Sequence, residues 1–105
     1  MASSKEYLDF ILDQLSEAEE ITFRKMMGEY ILYTHGKVFG GIYDDRFLVK
    51  NIPAATEMLP EAPMEFPYEG AKPMILVDQL ENKTFLAQLI AAMEPKLPLP
   101  KKKKK

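Results

Sequence analysis

Two adjacent glycines, Gly40 and Gly41, stand in the stretch VFGGIYDDRFLVK, where the other residues are typical of a β-strand. Glycine-rich turns bind phosphate when free N–H groups converge between a strand and the start of a helix. This spacing matches neither G-x-G-x-x-G nor G-x-x-x-x-G-K-[ST], and Ile42, Tyr43 and a predicted turn follow instead of a helix. The pattern therefore disfavours a phosphate site.

Two interpretations of the glycine pair stay open. Strict alternation along a strand would place Gly40 on one face and Gly41 on the other, in a notch between Phe39 and Tyr43. In the first interpretation, an apolar side chain of a covering helix fills one notch and the other glycine eases sheet twist or a bulge. In the second, the Gly41 notch receives the backbone or a side chain of a partner.

Residues that could act in catalysis or metal binding are few. His35 is the only histidine, and no nucleophile or orienting base lies near it in sequence, so we interpret it as a turn residue. Asp44 and Asp45 lack the further oxygen ligands that a calcium loop spreads over about a dozen residues, so they also indicate a turn. The chain has no cysteine, which excludes disulfides, thiol chemistry and the usual structural zinc sites. We therefore expect no enzyme, no cofactor and no metal.

The charge of the chain is divided unevenly. Five of the 14 basic residues form the tail at residues 101–105, so nine basic residues stand against 16 acidic ones elsewhere, a formal charge of −7. Affinity for DNA depends on Lys and Arg neutralising phosphates, so this acidic body disfavours direct nucleic-acid binding. The lysine tail could hold nucleic acid weakly and in a salt-sensitive way, contact a membrane surface, or serve only for solubility, and we favour solubility.

The length of 105 residues and a hydrophobic content of 47% predict one folded domain that needs no metal or disulfide. We place this domain at residues 1–97 and expect residues 98–105, rich in Pro and Lys, to be disordered. The N-terminus lacks the pattern of a signal peptide, and no apolar run approaches the ~18 residues of a membrane span. A cytoplasmic location without membrane contact is therefore expected.

The first half of the chain predicts one helix and three strands. Ser3 and Glu6 form a capping box at the start of a helix. The acidic and basic residues at positions 17–25 read as a solvated connection. Apolar and aromatic runs from Met26 onward predict a hairpin with a turn at residues 34–37, and a second reversal at Asp44-Asp45 leads into a third strand.

The second half predicts a short helix, a strand and a final helix. Pro53 suits the first turn of the short helix, and Pro73 begins a buried strand at MILVD. The final helix begins either at Asp78 with Glu81 or at Asn82, and ends before Pro95.

The ordered string TFRKMMGEYILYTHGKVFGGIYDDRFLVK, followed by PYEGAKPMILVD and a terminal helix, resembles the N-terminal domain of the TfoX/Sxy family of bacterial competence regulators. The resemblance covers residues 4–97, and its most distinctive pieces are RKMMG, FGG and GAKPM. It implies an α+β domain with an antiparallel sheet covered by helices, YjbR-like in outline and without enzymatic activity. It also implies a protein partner in transcription, since family members that regulate transformation act as coactivators with the cyclic-AMP receptor protein. Such members carry a second, helical domain, whereas we expect a stand-alone domain here.

We therefore predict a protein-interaction domain in transcriptional regulation. The predicted partner surface consists of Phe39, Gly41, Tyr43, Arg46 and Lys72. Two alternatives remain: a small-ligand binder with its pocket between the sheet and the terminal helix, and a weak nucleic-acid binder through the lysine tail. The oligomeric state is open, and a homodimer is one outcome, because sheet edges either pair across a two-fold axis or are covered.

Overall fold

The computed structural model describes residues 4–26 and 28–97, in which the chain forms three α-helices and six β-strands. The helices are α1 (Lys5–Gln14), α2 (Pro53–Met58) and α3 (Lys83–Met93), and a short 3-10 helix (Glu94–Lys96) follows α3. The strands are β1 (Ile21–Met26), β2 (Glu29–Thr34), β3 (Lys37–Ile42), β4 (Phe47–Val49), β5 (Met64–Glu65) and β6 (Met74–Leu76). The predicted α+β class is confirmed.

All six strands join one antiparallel sheet in the order β1-β2-β3-β4-β6-β5. The predicted three-stranded meander is its centre, formed by β2, β3 and β4. The sequence did not predict β1 or β5. Arg24 and Lys25, interpreted as part of a solvated connection, lie in β1, where five of six residues are exposed and the alternation of apolar and polar residues lasts only from Ile21 to Arg24. β5 has two residues and follows Pro63, so it is too short for a pattern.

Both predicted reversals of the meander are confirmed, and both are tight. His35 and Gly36 have φ values of 52° and 78°, and Asp44 and Asp45 have φ values of 54° and 55°. Two consecutive residues with positive φ are the mark of a type I′ hairpin turn, whose twist matches that of the flanking strands. His35 is thus a turn residue, as its position predicts.

The helix starts differ in detail from the sequence expectation. Ser4 is the N-cap of α1, because its Oγ accepts the N–H of Tyr7 at 3.1 Å. The predicted cap Ser3 lies outside the described residues. Asn82 caps α3 by accepting the N–H of Phe85 at 3.0 Å, which decides between the two predicted starts of the last helix.

One hydrophobic core lies between the sheet and the helices. It combines the apolar faces of α1 and α3 with one face of the strands. Completely buried members of this core include Leu8, Ile11, Leu32, Ile42, Phe47, Ile75, Leu86 and Leu89. The apolar residues of both long helices therefore belong to the core. None of the helices in the described ranges has the length and apolarity that crossing a bilayer requires.

A register shift breaks the alternation of β3. Leu32 pairs with Gly40 and the next residue of β2, Tyr33, pairs with Val38, so Phe39 is an extra residue in the ladder. Such a bulge turns the extra side chain away from its alternating position. Phe39 consequently packs in the core beside Phe47, with ring centroids 6.4 Å apart, and the strict alternation assumed from the sequence is wrong at this point.

Candidate functional site

The second hairpin turn places Tyr43 and Arg46 directly across from each other. The N–H of Tyr43 donates to the carbonyl of Arg46 at 2.9 Å, and the N–H of Arg46 donates to the carbonyl of Tyr43 at 3.0 Å. These two bonds close the turn formed by Asp44 and Asp45. Both side chains are thus held at the tip of the β3-β4 hairpin.

Arg46 fastens a distant segment to this hairpin. Its guanidinium donates to the carboxylate of Glu65 at 2.8 Å, to the carbonyl of Phe66 at 3.3 Å and, through Nε, to the carbonyl of Tyr43 at 3.1 Å. A guanidinium presents several donors in a rigid fork, so one side chain can tie three acceptors together. Arg46 therefore holds the start of the loop at residues 66–73 against the hairpin.

Tyr43 lies on the sheet face opposite to the helices. Its side chain is almost buried, with 8% exposure, and its ring packs beside that of Tyr68 at a centroid distance of 6.2 Å. Burial raises the pKa of Tyr43, and the neighbouring Tyr68 and Glu29 add to the rise. The phenol therefore stays protonated at neutral pH and can donate a hydrogen bond.

A cleft of about 660 Å³ opens beside Tyr43, between the sheet and the loop at residues 66–73. We call it the tyrosine cleft and define it by its rings, prolines and cations: Tyr43, Tyr68, Pro67, Pro73, Lys50 and Lys72. Tyr68 is 63% exposed, so most of its ring is open to contact with another molecule. Rings and prolines with two ammonium groups suit an extended peptide that carries apolar and acidic side chains.

The structure brings three of the five predicted site residues to this place. Tyr43 and Lys72 line the tyrosine cleft, and Arg46 supports its wall. Gly41 is buried beneath the ring of Tyr43, so its notch is filled from within the chain. Phe39 is completely buried in the core and does not reach this face, so its assignment to a partner surface is wrong.

Sequence reasoning missed Tyr68 and Lys50 as members of the cleft. Tyr68 stands in FPYEG, and this segment of aromatic residues and a proline could have been predicted as a contact surface for a partner. Lys50 follows the buried end of β4, and only the return of the loop at residues 66–73 places it near Lys72. No local pattern carries that information.

A second, smaller cavity of about 420 Å³ lies between the β2-β3 turn and α3. Its lining is acidic, with Glu17, Glu19 and Glu94, and it includes His35, whose Nε2 lies 3.2 Å from the carboxylate of Glu19. Lys37 donates to the Glu94 carboxylate at 2.8 Å and thereby lowers the pKa of Glu94. Among residues 4–26 and 28–97, no group of three or more metal-ligating side chains converges here or elsewhere.

Comparison with known proteins adds a family and one relative. A family model described as the TfoX N-terminal domain matches residues 13–92. A protein of Spirochaeta aurantia, named "Uncharacterized 12.7 kDa protein in trpE 5′region", is 32% identical over 105 residues, which span 99% of this chain and 91% of the relative. No solved structure matches the chain, so the expected YjbR-like outline stays a prediction.

Proposed function

The chain belongs to the TfoX N-terminal domain family, and from this premise we propose that it is a cytoplasmic, non-enzymatic protein-interaction domain in transcriptional regulation. The family is associated with the regulation of competence. We assign docking to the tyrosine cleft and attribute no catalysed reaction to the chain.

The exposed ring of Tyr68 beside the buried ring of Tyr43 is the observation that carries this proposal. Tyrosines with one side packed and one side open are favoured at the centres of protein interfaces, because they add apolar contact and a hydrogen bond at low cost in side-chain entropy. Arg46 fixes the loop that bears Tyr68, so the surface is arranged before a partner arrives.

Charge indicates which partner suits the cleft. Lys50 and Lys72 lie on its rim, and neither forms an ion pair with another described residue. The body of the chain is otherwise acidic, so this rim is a local site of attraction for carboxylates. We infer an acidic, extended segment of a transcription protein as the occupant.

Crosslinking in cells followed by mass spectrometry would identify the partner, and binding of the purified pair would test the cleft. We expect Tyr68→Ala to weaken binding at least about tenfold, as truncation of a central aromatic residue does. Phe10→Ala is the matched control, because Phe10 is an exposed ring on α1, with 40% exposure, and is not among the residues that line the cleft. A partner that binds wild type, Tyr68→Ala and Phe10→Ala equally would refute docking at the cleft.

The acidic cavity between the β2-β3 turn and α3 supports the small-ligand alternative, for which we expected a pocket between the sheet and the terminal helix. Its carboxylates would select a cationic metabolite. If this function is correct, a thermal-shift screen with polyamines and amino acids should find a compound that raises the melting temperature of wild type but not of Glu17→Gln.

The nucleic-acid alternative depends on residues 101–105, which lie outside the described residues. If it is correct, deletion of these lysines should abolish a salt-sensitive affinity for nucleic acid.

A further inference from the structure

The β1 edge of the sheet is long and open. β1 has six residues and pairs on one side with β2, whereas β5 at the opposite edge has two. Phe23 and Met26 on β1 are 40% and 51% exposed. Proteins usually shorten or cover an edge strand, because its unpaired N–H and C=O groups are a template for another strand. β5 follows that rule and β1 does not.

The backbone of β1 directs alternate groups outward. The N–H of His35 donates to the carbonyl of Glu20 at 3.1 Å, which sets the phase of the β1-β2 ladder. In an antiparallel ladder, every second residue bonds to the neighbouring strand and the residues between them point the other way. The odd-numbered residues Ile21, Phe23 and Lys25 therefore offer their N–H and C=O groups to the open edge.

Charges at the two ends of β1 have opposite signs. Glu19 and Glu20 precede the strand, and Arg24 and Lys25 lie near its end. Within the part of the chain that the structure describes, Glu20, Arg24 and Lys25 form no ion pair. An antiparallel copy of the strand reverses this order, so its basic end would lie beside the acidic end of the first copy.

We propose that two copies of the chain pair antiparallel through β1, about a two-fold axis between their Thr22 residues. In this register the outward backbone groups of Ile21 meet those of the partner's Phe23, and Glu20 lies beside the partner's Arg24. The side chains of Ile21 and Phe23 lie on the helix-covered face. These two residues pair with Thr34 and Leu32 of β2, which are buried there. The dimer continues the sheet and the core from one copy into the other.

A shift of this register by two residues would preserve the backbone bonds but not the charges. Arg24 would then face the partner's Thr22, and Glu20 would face the partner's Met26. Opposite charges across a strand pair stabilise it, and like charges destabilise it. Arg24 and Lys25 also deter strands that lack an acidic end, which favours a second copy of this chain over other occupants. The tyrosine cleft lies on β3 and on the loop before β6, away from this edge.

Sedimentation equilibrium of the full chain over a concentration series tests the proposal with charge reversals. We expect the mass of wild type to rise from 12.0 kDa toward twice that value. Glu20→Lys and Arg24→Glu should each raise the dissociation constant of the dimer at least about tenfold, because the two-fold axis brings each substitution into the interface twice. The double variant Glu20→Lys/Arg24→Glu should restore the dimer. Glu57→Lys, an equal change of charge at an exposed residue of α2, should leave the dimer intact.

Three outcomes would overturn the proposal. A wild type of 12.0 kDa at the highest concentration would exclude the dimer. A double variant that has the circular dichroism of wild type but does not recover the dimer would exclude the register. Amide exchange of Phe23 in wild type gives a readout without any variant: it should slow as concentration rises, and an unchanged rate would show that the β1 edge stays open.

Discussion

The ring of Tyr43 lies over Gly41, and a β-carbon built on Gly41 would come within 2.7 Å of the Cε2 atom of that ring and 2.6 Å of the carbonyl oxygen of Tyr30. The neighbouring glycine is crowded by backbone alone: a β-carbon on Gly40 would collide with the carbonyl of Leu48 and lie 2.8 Å from the Cα of Val49. The glycine pair thus permits close packing of β4 on one side and of a tyrosine ring on the other.

Gly40→Ala should destabilise the fold more than Gly41→Ala. Overpacking costs about 1–3 kcal/mol where neighbours can shift. At Gly41 one neighbour is a ring that can move, whereas at Gly40 both are backbone atoms of a central strand. Urea unfolding followed by circular dichroism measures the order. Alanine in open space would instead stabilise by about 0.4–1 kcal/mol, and such a gain at either position would contradict the crowding.

Arg46→Lys should loosen the loop at residues 66–73 although it retains the charge. Lysine cannot form the fork that joins Glu65, Phe66 and Tyr43, so most of the anchoring is lost. We expect a decrease of about 1 kcal/mol in unfolding free energy, since the Arg46–Glu65 pair is partly exposed. Faster amide exchange at Leu76, whose N–H bonds to Pro63, would report the loosening. Lys5→Arg, in an exposed pair on α1, is the control and should change neither measurement.

Much of the fold follows from local pattern, because turns and amphipathic helices are local devices. The two type I′ turns, at His35-Gly36 and Asp44-Asp45, consist of residues that tolerate positive φ, and they fix the meander. β1 escapes such reasoning because its apolar and polar residues alternate only from Ile21 to Arg24 and five of its six residues are exposed. Its place in the sheet depends on pairing with β2, which is a tertiary contact.

The candidate site was only partly predictable for a related reason. Tyr43 and Lys72 belong to it, but the prediction for Phe39 assumed that side chains alternate along an unbroken strand. The register shift opposite Leu32 and Tyr33 overrides that rule, and nothing in the residue types around Phe39 marks the extra residue. Tyr68 joins Tyr43 across 25 positions of sequence, which only the folded loop brings together.

Glu94→Gln should make the acid unfolding of the protein less steep. The hydrogen bond from Lys37, outweighing burial, lowers the pKa of Glu94 below its ordinary value of 4.5. A lowered folded-state pKa means that the ionised carboxylate stabilises the fold above pH 4.5 and that this contribution is lost as pH falls toward the folded-state pKa. Urea midpoints of wild type and variant, measured from neutral to acid pH, should therefore converge as pH falls. A difference that grows in acid would contradict this pairing.

Phe39→Ala and Tyr68→Ala should separate the core from the docking surface. Phe39 is fully buried beside Phe47, so its truncation leaves a cavity and should cost about 3–5 kcal/mol of unfolding free energy. Tyr68 keeps 63% of its surface exposed, so Tyr68→Ala should change stability by less than about 1 kcal/mol. Chemical unfolding of both variants beside wild type gives the comparison. Equal losses of unfolding free energy in the two variants would mean that the ring of Tyr68 is needed for the fold. A small loss in Phe39→Ala would mean that the ring of Phe39 is not part of the core.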